Sequence, residues 1–213
     1  MSKKVSMLQC ILTVVFVCCL LISNIVVIKS IALPFGGEIT GALYIFPITY
    51  ILSDVFSEVY GYKWSRITCY IAFIMNIFMA IVFALVIASP GTEYFTSQAA
   101  LEAILGNTPR LVFASLMAFA IGDFANDRVF RFMKKGRNNH KGFCFRAIAS
   151  SVVGAFCDTF IFYLIGFTGM FSVGAIISVT LTEMVLKVGY ELLILPVTTF
   201  VMHRVSKHEK KTA

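Results

Sequence analysis

The chain has 213 residues, 59% hydrophobic and only 14% charged, with a mean hydropathy of +0.87 and a formal net charge of +7. A soluble domain carries about a quarter charged residues, so this deficit, together with 21 Phe, excludes an ordinary soluble fold and indicates an integral membrane protein. The positive charge does not describe a nucleic-acid surface, because the basic residues fall in short blocks between apolar runs, the pattern by which a membrane protein encodes its orientation.

Lys3 and Lys4 precede an apolar run from Leu8 to Ile28. The run is longer than a signal-peptide core and no small-x-small cleavage site follows, so it reads as a first membrane helix. A spanning helix needs about 20 mostly apolar residues. On that rule spans are expected at roughly 8–28, 40–58, 66–88, 109–131, 145–167 and 175–202. The joints carry turn signals: Pro34 to Gly37, Gly61-Tyr62, Ser89-Pro90-Gly91, Lys134 to Gly142 and Gly166 to Gly169. Thr108-Pro109 introduces the fourth helix, with proline at a first-turn position. A short amphipathic helix is expected over Ser97 to Leu105.

Basic residues alternate between the two sides. Lys3 and Lys4, then Lys63 and Arg66, then Arg131, Lys134, Lys135, Arg137, Lys141 and Arg146, and finally Arg204, Lys207, Lys210 and Lys211 fall on one side. The opposite loops, 89–108 and 168–174, hold no Lys or Arg, and Lys29 is the one exception. The positive-inside rule then predicts an all-α polytopic membrane protein with six transmembrane helices and both termini in the cytoplasm, a single membrane domain over 1–213. No internal repeat supports an inverted-repeat architecture.

The most unusual stretch is Phe46 to Tyr62, FPITYILSDVFSEVYGY. Asp54 and Glu58 are four residues apart, hence on one helix face. A carboxylate facing lipid costs about 3 kcal/mol, so the pair must face a protein interior, a watery cavity or the headgroup boundary. A purely structural reading stays open, with Glu58 interfacial and Asp54 in an interhelix contact.

Further polar residues lie within the spans: Asn24, Asn76, Asp123, Asn126, Asp127, Asp158, Glu183, Lys187 and Glu191. Intramembrane ionisable groups are functional candidates because their burial is expensive. Glu183, Lys187 and Glu191 are spaced i, i+4, i+8 and form a stripe on one face. The lysine can pair with either glutamate, which allows a self-neutralising ladder without a ligand. Only one glutamate can be fully compensated, however, and Asp54, Asp123 and Asp158 add to the stripe from other helices. Converging carboxylates suit a ligand rich in N–H donors, a cation or a proton relay. Aromatic side chains nearby, among them Tyr50, Phe162 and Tyr163, can stack on a planar heterocycle. Pro196 is expected to kink the sixth helix and free a carbonyl.

Enzyme signatures are missing. Ile121-Gly122-Asp123 lacks the leading glycine of intramembrane aspartyl proteases, since Ala120 stands there, and no Walker lysine loop, HExxH or GxSxG occurs. The chain is not read as an enzyme and no cofactor is expected. The six cysteines form no CxxC unit, and His140, His203 and His208 have no metal-ligand spacing.

Taken together, several fragments in order resemble one family. They are Ser23-Asn24 with Lys29, the whole of 46–62, Pro109-Arg110 leading to Ala114-Ser115, Arg146, Ser150-Ser151, Asp158-Thr159-Phe160-Ile161-Phe162, then Lys187, Glu191 and Pro196. The chain resembles the queuosine precursor transporters, six-span bacterial inner-membrane proteins formerly grouped with vitamin-uptake transporters. The resemblance implies import of a 7-deazaguanine, such as 7-cyano-7-deazaguanine or its aminomethyl analogue, for salvage into tRNA queuosine. It implies a purine-like solute and the lipid bilayer as partners, with no nucleic acid, and leaves homo-oligomerisation open. A guanine-like edge presents an N1–H and an exocyclic amine that one carboxylate can accept together. On this reading Asp158 or Glu191 reads that edge, Asn24 donates to the ring carbonyl, Tyr50 or Phe162 stacks, and Asp54 and Glu58 gate or compensate from helix two. Lys187 would hold one of the glutamates ionised. A substrate-binding subunit of a multi-component vitamin-type importer and a non-transporting membrane protein are the alternatives.

Overall fold

The computed structural model describes residues 5–33, 38–134 and 143–212. The expected joint at 34–37 and the basic stretch 135–142 lie outside the described residues. Helix α1 (Met7–Val26) starts at a capping box: the Ser6 hydroxyl accepts from the Gln9 amide at 3.0 Å, and the Gln9 side chain accepts from the Ser6 amide at 3.3 Å. After it, the short strands β1 (Ser30–Ala32) and β2 (Glu38–Thr40) pair.

The segment expected as a second spanning helix is not one continuous α-helix. It is a 3-10 turn (Gly41–Tyr44), a ten-residue helix α2 (Phe46–Val55) with Pro47 in its first turn, and a π-turn (Phe56–Tyr60). The π-turn ends at Gly61, whose φ of 88° is a left-handed conformation that only glycine adopts without strain. The remaining helices are α3 (Tyr62–Ala88), α4 (Gln98–Leu105), α5 (Thr108–Lys134), α6 (Phe143–Phe167) and α7 (Val173–Thr212). Helix α4 is the short helix expected over Ser97 to Leu105. Among the described residues, five helices are long and apolar enough to cross a membrane, and α2 is too short to be among them. Helix α7 continues past Pro196 for another four turns, so the proline lies inside the helix without ending it.

The chain forms two compact units, Met1–Ile31 with Thr40–Pro109 and Tyr190–Ala213, and Ala32–Ile39 with Arg110–Gly189. The first is built on an apolar cluster of Phe16 and Val17 from α1, Leu52 from α2, Phe56 from the π-turn and Ala72 from α3. Phe16 and Phe56 meet edge to face at 5.6 Å, a favoured aromatic geometry. The same π-turn carries Tyr60 to Glu209 near the end of α7. The Tyr60 hydroxyl donates to Glu209 Oε1 at 3.0 Å and the Ser6 hydroxyl donates to the same oxygen at 2.6 Å. One carboxylate thus ties the start of α1, the end of the π-turn and the tail of α7.

Burial, and then the bond to Glu209, raise the Tyr60 phenol above its ordinary value of 10.0. A raised pKa means that its contribution to stability is complete below pH 10.0 and is lost as pH rises toward the folded value. The alkaline fall in melting temperature above about pH 10 should therefore be shallower in Tyr60→Phe than in the parent. Parallel slopes in thermal scans would show that Tyr60 does not contribute to it.

The second unit rests on a close crossing of α5 and α6. A Cβ placed on Gly122 would lie 2.8 Å from Asp158 Cβ and 3.0 Å from the Gly154 carbonyl oxygen. One placed on Gly154 would lie 2.9 Å from Asn126 Cβ and 3.0 Å from the Gly122 oxygen. Small residues at such a seam let helix backbones approach where lipid offers no hydrophobic drive. Arg110, at the start of α5, closes the far end of α6 by donating to the carbonyls of Ile165 at 2.7 Å and Thr168 at 2.6 Å. A cation on the last carbonyls of a helix satisfies orphan acceptors and opposes the negative end of its dipole.

Candidate functional site

The polar centre of the second unit lies between α6 and α7. Ile176, Val179, Thr180, Glu183 and Lys187 are all buried, so one face of α7 turns inward. Its upper part is apolar and its lower part carries a carboxyl and an ammonium one turn apart. Lys187 is 9% exposed, Glu183 2% and Thr159 of α6 1%. The Lys187 ammonium donates to the Thr159 hydroxyl at 2.9 Å and to Asp158 Oδ2 at 3.4 Å, an ion pair between helices. A lysine inside an apolar bundle needs a counter-charge, and Asp158 supplies it.

The two partners differ in access. The lysine side chain is 10% exposed, whereas that of Asp158 is 39% exposed. The carboxylate is therefore anchored through one oxygen and still reachable. Its Cβ lies against Gly122, so α5 forms a wall behind it. Phe162 sits one turn further along α6 and meets Tyr163 edge to face at 5.5 Å, in a ring series that continues through Phe167 to Phe171. An anchored, accessible carboxylate beside a cation and an aromatic ring can accept N–H donors from a planar ligand.

The expected site residues divide between the two units. Asp158, Phe162 and Lys187 belong to the second, where the first and last are in direct contact. Asn24, Tyr50, Asp54 and Glu58 belong to the first. The side chain of Glu191 lies outside the described atoms, as do those of Asp127 and Arg146. Tyr50 is half-buried on α2, while Asp54 and Glu58 are both exposed. Asp54 is in α2 and Glu58 in the π-turn, where the hydrogen-bond step lengthens to i+5, so the pair is not stacked as in a uniform α-helix.

Asn24 is buried and its amide is engaged. It donates to Asn76 Oδ1 at 2.6 Å and to the Leu20 carbonyl at 3.2 Å, while Asn76 donates to the Ala72 carbonyl at 2.9 Å. A ring carbonyl would have to displace Asn76 to receive a bond from Asn24. The amide pair joins α1 to α3, and interhelical polar pairs in membranes contribute roughly 1 kcal/mol. Asn76→Ala should lower the melting temperature of the detergent-purified protein modestly, and Asn24→Ala added to it should cost little more. Additive losses would mean that the two amides act separately.

Sequence reasoning did not single out Thr159 as the lysine's second partner, nor Gly122 and Gly154 as the seam that sets Asp158. The glycines at matching depth in α5 and α6 were the available signal. The i, i+4 spacing sets Lys187 beside Glu183 on its own helix, and the structure adds an ion pair to Asp158 on the neighbouring helix that the sequence did not indicate. Among the described residues, no group of three or more His, Cys, Asp or Glu is placed to hold a metal ion.

The sequence profile of a family described as "Putative vitamin uptake transporter" matches residues 40–201. The chain is 25% identical over 174 residues to a Bacillus subtilis (strain 168) protein named "Probable queuosine precursor transporter", an alignment covering 82% of this chain and 76% of that protein. No solved structure matches the chain.

Proposed function

The chain belongs to the vitamin uptake transporter family, and we propose that within it this protein imports a queuosine precursor, 7-cyano-7-deazaguanine or 7-aminomethyl-7-deazaguanine, across the bacterial inner membrane. The observation that carries the reading is the Lys187–Asp158 pair, an accessible carboxylate fixed between two apolar helices. A 7-deazaguanine offers an N1–H and an exocyclic amine side by side, and one carboxylate accepts both in charge-assisted bonds. Asp158 takes that role, Phe162 stacks on the ring, and Lys187, itself bonded to Thr159, holds the carboxylate in place. Glu183 supplies a second buried carboxyl one turn from Lys187, suited to an aminomethyl cation or to a proton.

In this reading the chain is a single membrane domain that crosses six times with both termini in the cytoplasm. Residues 40–58 make the second crossing in its broken form. Asp54, Glu58 and Tyr50 on that segment line the path rather than the resting site, and Asn24 joins them only when its bond to Asn76 opens.

The test is rescue of tRNA queuosine in a bacterium that lacks both precursor synthesis and its own importer. This chain would be the only addition, with trace 7-cyano-7-deazaguanine in the medium. Restored queuosine is the expected result, lost in the Asp158→Asn, Lys187→Met double variant at equal membrane abundance. No restoration from membrane-located protein would overturn the assignment of substrate or of autonomy.

A further inference from the structure

The second half of α7 carries a face that holds none of the residues assigned to the transport site. Pro196, Thr199, Phe200, His203, Arg204 and Lys207 line one shallow open groove along the helix. Their spacing, i, i+3, i+4, i+7, i+8 and i+11, is a single stripe of an α-helix, about 16 Å long at 1.5 Å per residue. All six are exposed.

The stripe changes character along its length. The sequence is apolar up to Met202 and turns basic at His203, so Pro196 and Phe200 lie in the apolar part and Arg204 and Lys207 beyond it. The Arg204 guanidinium lies over the Phe200 ring at 5.2 Å, which holds the cation at the boundary between the two parts. Proline has no amide hydrogen, so the stripe begins beside a carbonyl deprived of its helical partner. Among the described residues, no ion pair joins Arg204 or Lys207 to a carboxylate. The sole acidic residue after Glu191 is Glu209, and it is committed to Ser6 and Tyr60.

We infer that this face binds an anionic phospholipid. The phosphate pairs with Arg204 and Lys207, and the upper acyl chain lies along Phe200 and Pro196. A basic head above an apolar groove matches an amphipathic ligand. Free phosphate would leave the apolar half unfilled, and a zwitterionic lipid would present its own cation to Arg204. The inference rests neither on the transported solute nor on which leaflet the face meets.

The test is native mass spectrometry of the full chain in detergent, titrated with phosphatidylglycerol or phosphatidylcholine of the same acyl chains. Phosphatidylglycerol should be retained preferentially. Arg204→Gln and Lys207→Gln should each weaken it about fivefold, the electrostatic scale of one basic side chain near an anionic lipid surface. Lys63→Gln removes the same charge from an exposed position on α3 and should leave binding unchanged. Phe200→Ala should weaken lipid binding with all charges intact. Equal retention of the two lipids, an equal loss in Lys63→Gln, or displacement of the lipid by millimolar inorganic phosphate would each overturn the inference.

Discussion

Lys187→Met is expected to abolish uptake and to destabilise the protein by about 3 kcal/mol, whereas Asp158→Asn combined with Lys187→Met should recover most of the stability and none of the uptake. Breaking a buried ion pair strands one charge, and such losses run from about 3 to 5 kcal/mol. The low end applies because the Asp158 side chain is 39% exposed and partly solvated once alone. Removing both charges leaves neither stranded, so folding should tolerate it. The carboxylate that reads the ligand is then gone, so transport should not return. Melting temperature in detergent and solute uptake in cells, measured on the same three variants, separate the two effects. Uptake that follows stability, including recovery in the double variant, would reduce the pair to a structural strut.

Gly122→Leu is expected to prevent accumulation of folded protein, with Gly122→Ala falling between it and the parent. Even the single carbon of alanine would lie 2.8 Å from Asp158 Cβ and 3.0 Å from the Gly154 oxygen. One of those neighbours is backbone, so relief requires α5 and α6 to separate. Overpacking of this kind costs about 1–3 kcal/mol for a small addition and more for a large one. Gly189→Ala is the contrasting case. Nothing lies within 4 Å of the added carbon there, and alanine is the better helix former by about 1 kcal/mol. Monodisperse yield after detergent extraction should therefore fall in the order Gly189→Ala, Gly122→Ala, Gly122→Leu. An unaffected Gly122→Leu would mean that the seam is looser than its distances indicate.

Hydropathy was enough to place most of the long helices from the sequence, because a bilayer imposes length and polarity on each helix directly. The starts and ends of α1, α3, α5 and α6 fall within a few residues of the expected spans for that reason. Depth also marked Asp158 and Lys187 as costly one by one. Their pairing was not readable, since it links residues on separate helices, while the i, i+4 rule pointed Lys187 to glutamates on its own helix. Asn24 and Asn76 were likewise flagged separately, and only packing shows them as one bonded pair. The π-turn escaped because Phe56 to Tyr60 has ordinary helical composition, although Gly61 after it was read as a joint. Glu209 was not singled out in the sequence, because its role depends on Ser6 and Tyr60, both remote in the chain.

The most direct measurement is uptake of radiolabelled 7-cyano-7-deazaguanine into liposomes that contain this protein and no other. Saturable influx above empty liposomes is expected, competed by excess unlabelled precursor and absent with the Asp158→Asn, Lys187→Met double variant, in which neither charge is stranded. Influx no greater than in empty liposomes, from protein that is folded and inserted, would contradict it.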